Sequence, residues 1–303
     1  MRILITGGAG FIGSQLVSRL TRRSDVQITV LDNLHRGNRE ALHDCLPQIR
    51  FIEGDIRNRE AVDAAMQGVQ VVIHLAAQSN VIGATDDPEY CFSTNVMGTF
   101  HLLQAARRFG VERFVFASSR EVYGDPASLP VPEDAPLSPK NAYGASKAAG
   151  EHYCRISNGQ GLETMIVRLA NVYGPGDRGR VIPIFVKNAL NDIPLVVYGE
   201  NKLVDFVWVG DVISMLLKCI SVRAEGPVNI CSGKGTELVS LARRVVELSG
   251  SNSHVVLRPS RSVEVDQFVG DTAKAESLLG LTPNSDPLYM LAECVSEFRP
   301  ALA

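Results

Sequence analysis

The chain has 303 residues, enough for two domains of ordinary size or one large domain with a smaller lobe. Hydrophobic residues make up 45% and charged residues 21%, an ordinary globular composition, and the net charge of −3 with both signs interspersed gives no reason to expect a nucleic-acid partner. The six cysteines (Cys45, Cys91, Cys154, Cys219, Cys231 and Cys294) form no C-x-x-C pair, so no metal site is expected and a cytoplasmic, reducing setting fits; no apolar run reaches the roughly 18 residues of a membrane helix, and the apolar start is too short for a signal-peptide core, so no membrane partner is expected.

Residues 3–6 read as a first strand and lead into Gly7-Gly8-Ala9-Gly10-Phe11-Ile12-Gly13, with a helix expected near 13–22. The glycines satisfy G-x-x-G-x-x-G from Gly7 and G-x-G-x-x-G from Gly8. Such a turn is tight, lets the backbone approach a pyrophosphate, and aims helix-start N–H groups at the phosphates. Residues 28–32 form the next strand and end on Asp32, about 20 residues after the last glycine. A carboxylate there accepts from the adenosine ribose hydroxyls and repels a 2′-phosphate, which favours NAD over NADP. Arg36 and Arg39 are the counter-argument, and a surface role for both is the plainer reading. Residues 49–53 form a third strand, followed by Asp55, which either reaches an adenine or caps a turn.

A helix at 59–66, a strand at 69–74 and a long helix at 88–109 follow, then strands at 113–117 and 163–168 around a helix at 142–157. This alternation predicts an α/β fold, a Rossmann doubly wound parallel sheet. After about residue 170 the elements shorten and Pro and Gly become frequent. We expect an NAD-binding domain over 1–170 and a smaller C-terminal α/β substrate lobe over 171–303, with some segments returning to the main sheet.

Tyr143-Gly144-Ala145-Ser146-Lys147 is a Y-x-x-x-K, which places phenol and ammonium on one helix face, where the cation favours tyrosinate. Alone it occurs often by chance. Its context is Ser118-Ser119 at the C-terminal end of a strand, the edge at which open α/β sheets bind ligands.

Together the glycine turn, Asp32, His74-Leu75-Ala76-Ala77, Ser119 and Tyr143/Lys147 resemble an extended short-chain dehydrogenase/reductase. More narrowly, the chain resembles the nucleotide-sugar epimerase/dehydratase branch, typified by UDP-glucose 4-epimerase. Arg168-Leu169-Ala170-Asn171-Val172-Tyr173-Gly174-Pro175-Gly176, Arg180-Val181-Ile182-Pro183 and Asp205-Phe206-Val207-Trp208-Val209-Gly210-Asp211 extend the resemblance over nearly the whole chain. The resemblance implies an NAD-dependent enzyme acting on a nucleotide-diphosphate sugar, and a homodimer paired through the helices at 88–109 and 142–157. Phe100, Leu103, Ala106, Ala148 and Ala149 are candidates for that face, unless the same stripes face the sheet.

The resemblance also implies residue roles. Gly7, Gly10, Phe11, Ile12, Gly13, Asp32, Asn33, Asp55 and Ile56 would bind NAD, with Leu75, Ala76, Ala77 and Asn95. Tyr143 would be the acid/base, Lys147 would bind the nicotinamide ribose and tune Tyr143, and Ser119 would hold the sugar's 4-oxygen. Asn171, Arg180 and Val181 would face the nucleotide diphosphate.

Two departures matter. The family's diphosphate-binding arginine before Asp-Phe is Val204 here; Lys202, Arg180 or Arg261 are the candidates to compensate. Arg120-Glu121 follows Ser119, where simple 4-epimerases carry small residues, sugar 4,6-dehydratases carry Asp-Glu, and uronate decarboxylases carry glutamate at the second place. Glu121 is therefore either an acid/base carboxylate or a structural acceptor. The leading reading is a 4-epimerase working through a transient 4-keto sugar. A dehydratase or UDP-uronate decarboxylase using Glu121 is the alternative, and a non-catalytic NAD-binding regulator is disfavoured because Tyr143 and Lys147 are both present.

Overall fold

The computed structural model describes residues 1–299. Strands β1 (Arg2–Thr6), β2 (Gln27–Asp32), β3 (Ile49–Glu53), β4 (Val71–His74), β5 (Arg113–Ser119) and β6 (Glu163–Leu169) alternate with helices. Those helices are α1 (Phe11–Leu20), α2 (Arg59–Met66), α3 (Val81–Asp86), α4 (Pro88–Phe92), α5 (Thr99–Arg108) and α6 (Ala142–Asn158). Then come β7 (Asn171–Tyr173), α7 (Val181–Leu190), β8 (Leu195–Tyr198), β9 (Leu203–Trp208), α8 (Val209–Cys219) and β10 (Val228–Ile230). The described chain closes with β11 (Gly235–Glu237), α9 (Leu238–Ser249), β12 (Val255–Arg258), α10 (Ala273–Leu279) and α11 (Leu291–Phe298).

The main sheet has the order β10-β6-β5-β4-β1-β2-β3, and β3-β2-β1-β4-β5 pair in parallel. The order reverses between β1 and β4, the switch point beyond whose C-terminal strand ends such sheets bind their ligands. β4 and β5 are buried along their whole length, as strands covered on both faces must be. Leu4, Val72, Phe114 and Phe116 point to the layer of α2, α5 and α6, where they meet Met66, Leu102 and Cys154.

The helix expected at 88–109 is broken. Between α4 and α5, residues Ser93–Gly98 form a π-helix. The wider turn brings glycine 98 against Ile56, where a Cβ would come within 2.6 Å of that side chain. It also turns Asn95 inward. Insertions of this kind concentrate at functional sites.

The chain forms two compact units, and they are not its two halves. One comprises residues 1–124, 136–168 and 213–228; the other comprises 125–135, 169–212 and the chain from Asn229. Local hydrogen bonds explain both exchanges relative to a single boundary near 170. Asn229 donates to Val131 O and to Glu133 within the second unit. In the first, Arg113 donates to Cys219 O and Val222 O. The second unit contains a β11-β9-β7 sheet and a β12-β8 pair around a core that includes Phe185, Val204, Phe206, Leu241 and Leu291. Among the described residues no helix is long and apolar enough to cross a membrane.

Candidate active site

The glycine turn is built for close approach. Gly7 adopts φ +71°, and a Cβ there would come within 2.7 Å of Ala76 N. A Cβ at Gly13 would meet Gly7 O at 2.2 Å, so only glycine lets α1 start against the end of β1. Gly10 supplies no side-chain cap, and the first turn of α1, with half-buried Phe11 and Ile12, presents its N–H end to the sheet's C-terminal edge.

Asp32 ends β2 and is buried. Its oxygens accept from Ala9 N and Leu34 N, both at 2.9 Å, and burial pushes its carboxyl up. Arg36 and Arg39 are exposed, and the Arg39 guanidinium lies 5.1 Å over the Phe51 ring. The neighbouring cluster is built on Asp55, the residue expected either to reach an adenine or to cap a turn. That carboxylate accepts from the Arg57 main chain and side chain and from Asn33 Nδ2 at 2.9 Å. Burial opposes its ionisation, but these donors outweigh it and hold the group down at about 2. Asp55 thus builds a turn and ties it to Asn33, which also reaches Tyr90 Oη. The Ile56 side chain belongs to the core, so only its main chain can face a cofactor.

Beyond β4, Leu75, Ala76 and Ala77 are half-buried beside the glycine turn, held by a chain of hydrogen bonds that the sequence did not reveal. Ala76 N donates to Thr6 Oγ1, which lies 2.7 Å from His74 Nδ1; His74 Nε2 lies 2.9 Å from Thr99 Oγ1, whose proton goes to Asn95 O. That direction assigns the imidazole proton to Nε2 and leaves Nδ1 accepting from Thr6. Complete burial, with a smaller contribution from the Lys147 charge, holds His74 well below the usual range and so neutral.

The amide of Asn95, one of the residues expected at the cofactor, accepts from Gln78 N and donates to Gln78 O and Ser146 Oγ, and Ser146 donates to Tyr143 O. Asn95 is a bracket between the β4 loop and α6. The loop glutamine could have been suspected only from knowing that it lies opposite Asn95 in space.

Tyr143 and Lys147 share a face of α6, and Lys147 Nζ is 5.9 Å from the centre of the Tyr143 ring. Tyr143 is half-buried, whereas Lys147 is buried, donates to Ala117 O at 2.8 Å and is pushed down to about 8 by that burial. Strand alternation separates the two serines of β5. Ser118 turns to Glu151, while Ser119 accepts from Glu121 N at 3.2 Å and keeps its own proton to offer. Glu121 is buried and doubly engaged: Oε1 pairs with Arg120 at 2.8 Å, and Oε2 accepts from Asn141 Nδ2 at 2.8 Å. Asn141 caps α6 through Gly144 N. The structure therefore gives Glu121 a structural partner on each oxygen.

The second unit holds the remaining candidates. Lys202 is buried and paired with Glu264, whose other oxygen accepts from Arg261 Nη1 at 3.2 Å; the Arg261 guanidinium also lies 3.7 Å over the Tyr198 ring. Arg180 precedes α7 and pairs with Asp177 at 3.5 Å, next to half-buried Val181. Asn171 opens β7 opposite Phe206 of β9. Val204 points into the unit's core, and the next residue, Asp205, faces the other way to receive Ser232, Gly233 and Gly270.

The sequence profile of the NAD dependent epimerase/dehydratase family matches residues 3–231. A Methanocaldococcus jannaschii protein, provisionally assigned as a UDP-glucose 4-epimerase, is 38% identical over 94% of this chain and 94% of its own. UDP-glucuronic acid decarboxylase 2 of Arabidopsis thaliana is 33% identical over 99% of this chain and 68% of its own. The crystal structure of Thermus thermophilus UDP-glucose 4-epimerase in complex with NAD superposes with a TM-score of 0.92, at 33% identity over 100% of both chains. The glycine cradle and the buried Asp32 fit NAD, which is the cofactor of this enzyme. An NAD turn at the switch point, a tyrosine–lysine pair beside Ser119, and a profile match across most of the chain have one explanation: the chain belongs to the NAD-dependent epimerase/dehydratase family.

Proposed function

We propose that the enzyme is a nucleotide-sugar 4-epimerase, with a UDP-hexose as the first substrate to test. The observation that carries this reading is the engagement of Glu121. A dehydratase or decarboxylase of this branch needs a second acid/base group beside the tyrosine, and the carboxylate available for it is spent on Arg120 and on Asn141, the cap of α6. A 4-epimerase has no such need.

Bound NAD supplies a hydride acceptor that also returns the hydride. The chain's own residues handle the proton and the orientation. Tyr143 takes the proton of the C4 hydroxyl, and the Lys147 ammonium favours the tyrosinate that does so. Ser119 offers its hydroxyl proton to the same sugar oxygen. Once the 4-keto sugar is reduced again, Tyr143 would give the proton back to the same oxygen. In the second unit, Lys202 and Arg261 are the cations we assign to the substrate diphosphate in place of an arginine at 204, with Asn171, Arg180 and Val181 flanking the nucleotide. We further propose that the enzyme is a homodimer.

The test is incubation of the purified enzyme with UDP-glucose, UDP-galactose, UDP-glucuronic acid and the matching dTDP-, GDP- and CDP-sugars in deuterated water. The expected product differs only at C4 and carries no deuterium on carbon, because the C4 hydrogen returns from the cofactor. Loss of water or carbon dioxide, with deuterium on a product carbon, would overturn the reading in favour of a lyase.

A further inference from the structure

Two successive residues of β5 are tied to two residues one turn apart on α6. Lys147 Nζ donates to Ala117 O at 2.8 Å, and Ser118 Oγ donates to Glu151 Oε1 at 2.6 Å. Glu151 is fully buried. Arg168 grips both of its oxygens, with Nε at 2.9 Å from Oε1 and Nη2 at 2.7 Å from Oε2. The same guanidinium donates to Tyr123 Oη at 2.8 Å and lies 4.6 Å over the Tyr123 ring, while Arg155 reaches Oε2 at 3.4 Å. The proton transfer described above uses neither Ser118 nor Glu151 nor Arg168. A buried ion pair is also weak evidence of a stabilising role, since an apolar pair of the same volume often serves as well.

The location of this pair suggests what it does. The groups facing Lys147 are Cys91 of α4, Glu151 and Cys154 of α6, His74 of β4 and the Tyr143 ring. Burial pushes both thiols up, and His74 is neutral. Glu151, gripped on both oxygens by Arg168, is the carboxylate among them.

We propose that Glu151 is a positioning residue for the oxidation step. Through Ser118 it fixes the register of α6 against the end of β5, and hence where Tyr143 and Lys147 stand relative to Ser119. The inference rests on Tyr143 and Lys147 starting the reaction, whichever sugar is used.

Ser118→Ala tests the register: it removes the hydroxyl that ties β5 to Glu151 and unpairs no charge. Its kcat is expected to fall by about fivefold or more with KM and NAD content unchanged, since a small displacement of the catalytic pair costs turnover rather than binding. An unchanged kcat overturns the proposal. Because the kcat is read on whichever sugar the enzyme converts, a failure of the 4-epimerase reading leaves the outcome readable.

Discussion

Glu121 Oε2 and Asn141 Nδ2 meet at 2.8 Å, and Asn141 is the residue whose other amide atom caps the helix carrying Tyr143 and Lys147. A carboxylate in the right place for acid/base work is thus used as a strut for the catalytic helix. Glu121→Gln keeps an acceptor for Asn141 and loses the ion pair with Arg120. Turnover is expected to stay within about tenfold of the wild type, whereas Tyr143→Phe removes the proton acceptor and should cost about 100-fold or more with NAD still bound. Ser119→Ala should fall between them. Steady-state kinetics of the three variants checks the order; a Glu121→Gln loss as large as that of Tyr143→Phe would move the assignment to a lyase.

Asp32 is expected to set cofactor choice. It is buried, negatively charged when ionised, and braced by Ala9 N and Leu34 N, so a 2′-phosphate would meet a carboxylate that cannot swing away. The wild type should bind NAD more tightly than NADP, and Asp32→Ala should narrow the gap mainly by weakening NAD. Titration calorimetry with both cofactors checks this. Tighter binding of NADP by the wild type would show that the exposed Arg36 and Arg39 dominate.

The strands of the first unit and the glycine turn were legible because each is a local pattern: an apolar run, a Gly spacing, a carboxylate at a strand end. Ser119, Tyr143 and Lys147 were legible through their motifs. What was missed is long-range. Nothing near Asp55 in the chain says that it is engaged by Asn33, and nothing near Glu151 says that Arg168 will close on it across the sheet. The π-helix at Ser93–Gly98 was hidden for a similar reason. Its residues are helix-compatible, and the extra residue per turn is demanded by Asn95 and glycine 98 meeting the β4 loop and Ile56.

The neutral His74 predicts a one-sided pH dependence of stability. Its folded pKa lies well below the ordinary 6.5, so below about pH 6.5 the unfolded chain takes up a proton that the fold refuses. The contribution is complete above pH 6.5 and is lost progressively below it, by about 1 kcal/mol between pH 6.5 and 5.5. Asp205 has the opposite sign: burial pushes it up to about 6, so the fold binds a proton there before the unfolded chain does. Comparing the wild type with His74→Gln isolates the histidine. Urea midpoints at pH 7.5 and 5.5 should drop more in the wild type than in the variant; equal drops would mean that His74 is not the group responsible.

The last expectation concerns assembly. The sequence offered Phe100, Leu103, Ala106, Ala148 and Ala149 as an interface. The structure turns Leu103, Ala106 and Ala148 inward, and they are buried against the protein's own core. What it exposes on the same helical run and on α6 is a different set: Phe92 at 56%, Met97 at 46%, Tyr153 at 38% and Ile156 at 56% of their surface. Tyr153 also meets Phe100 edge-on at 5.4 Å, which joins α5 and α6 into one apolar face. Large apolar side chains clustered on one face are unusual on a monomer, and two copies related by a two-fold axis would bury them against each other. Light scattering at micromolar concentration should return twice the chain mass. Ile156→Glu puts a charge on an exposed apolar position of α6 and should shift the enzyme towards monomer while leaving its NAD content unchanged. A wild-type monomer would refute the dimer. A dimer undisturbed by Ile156→Glu would refute this face, and would direct attention to exposed apolar residues of the second unit, Ile184, Ile193 and Leu257.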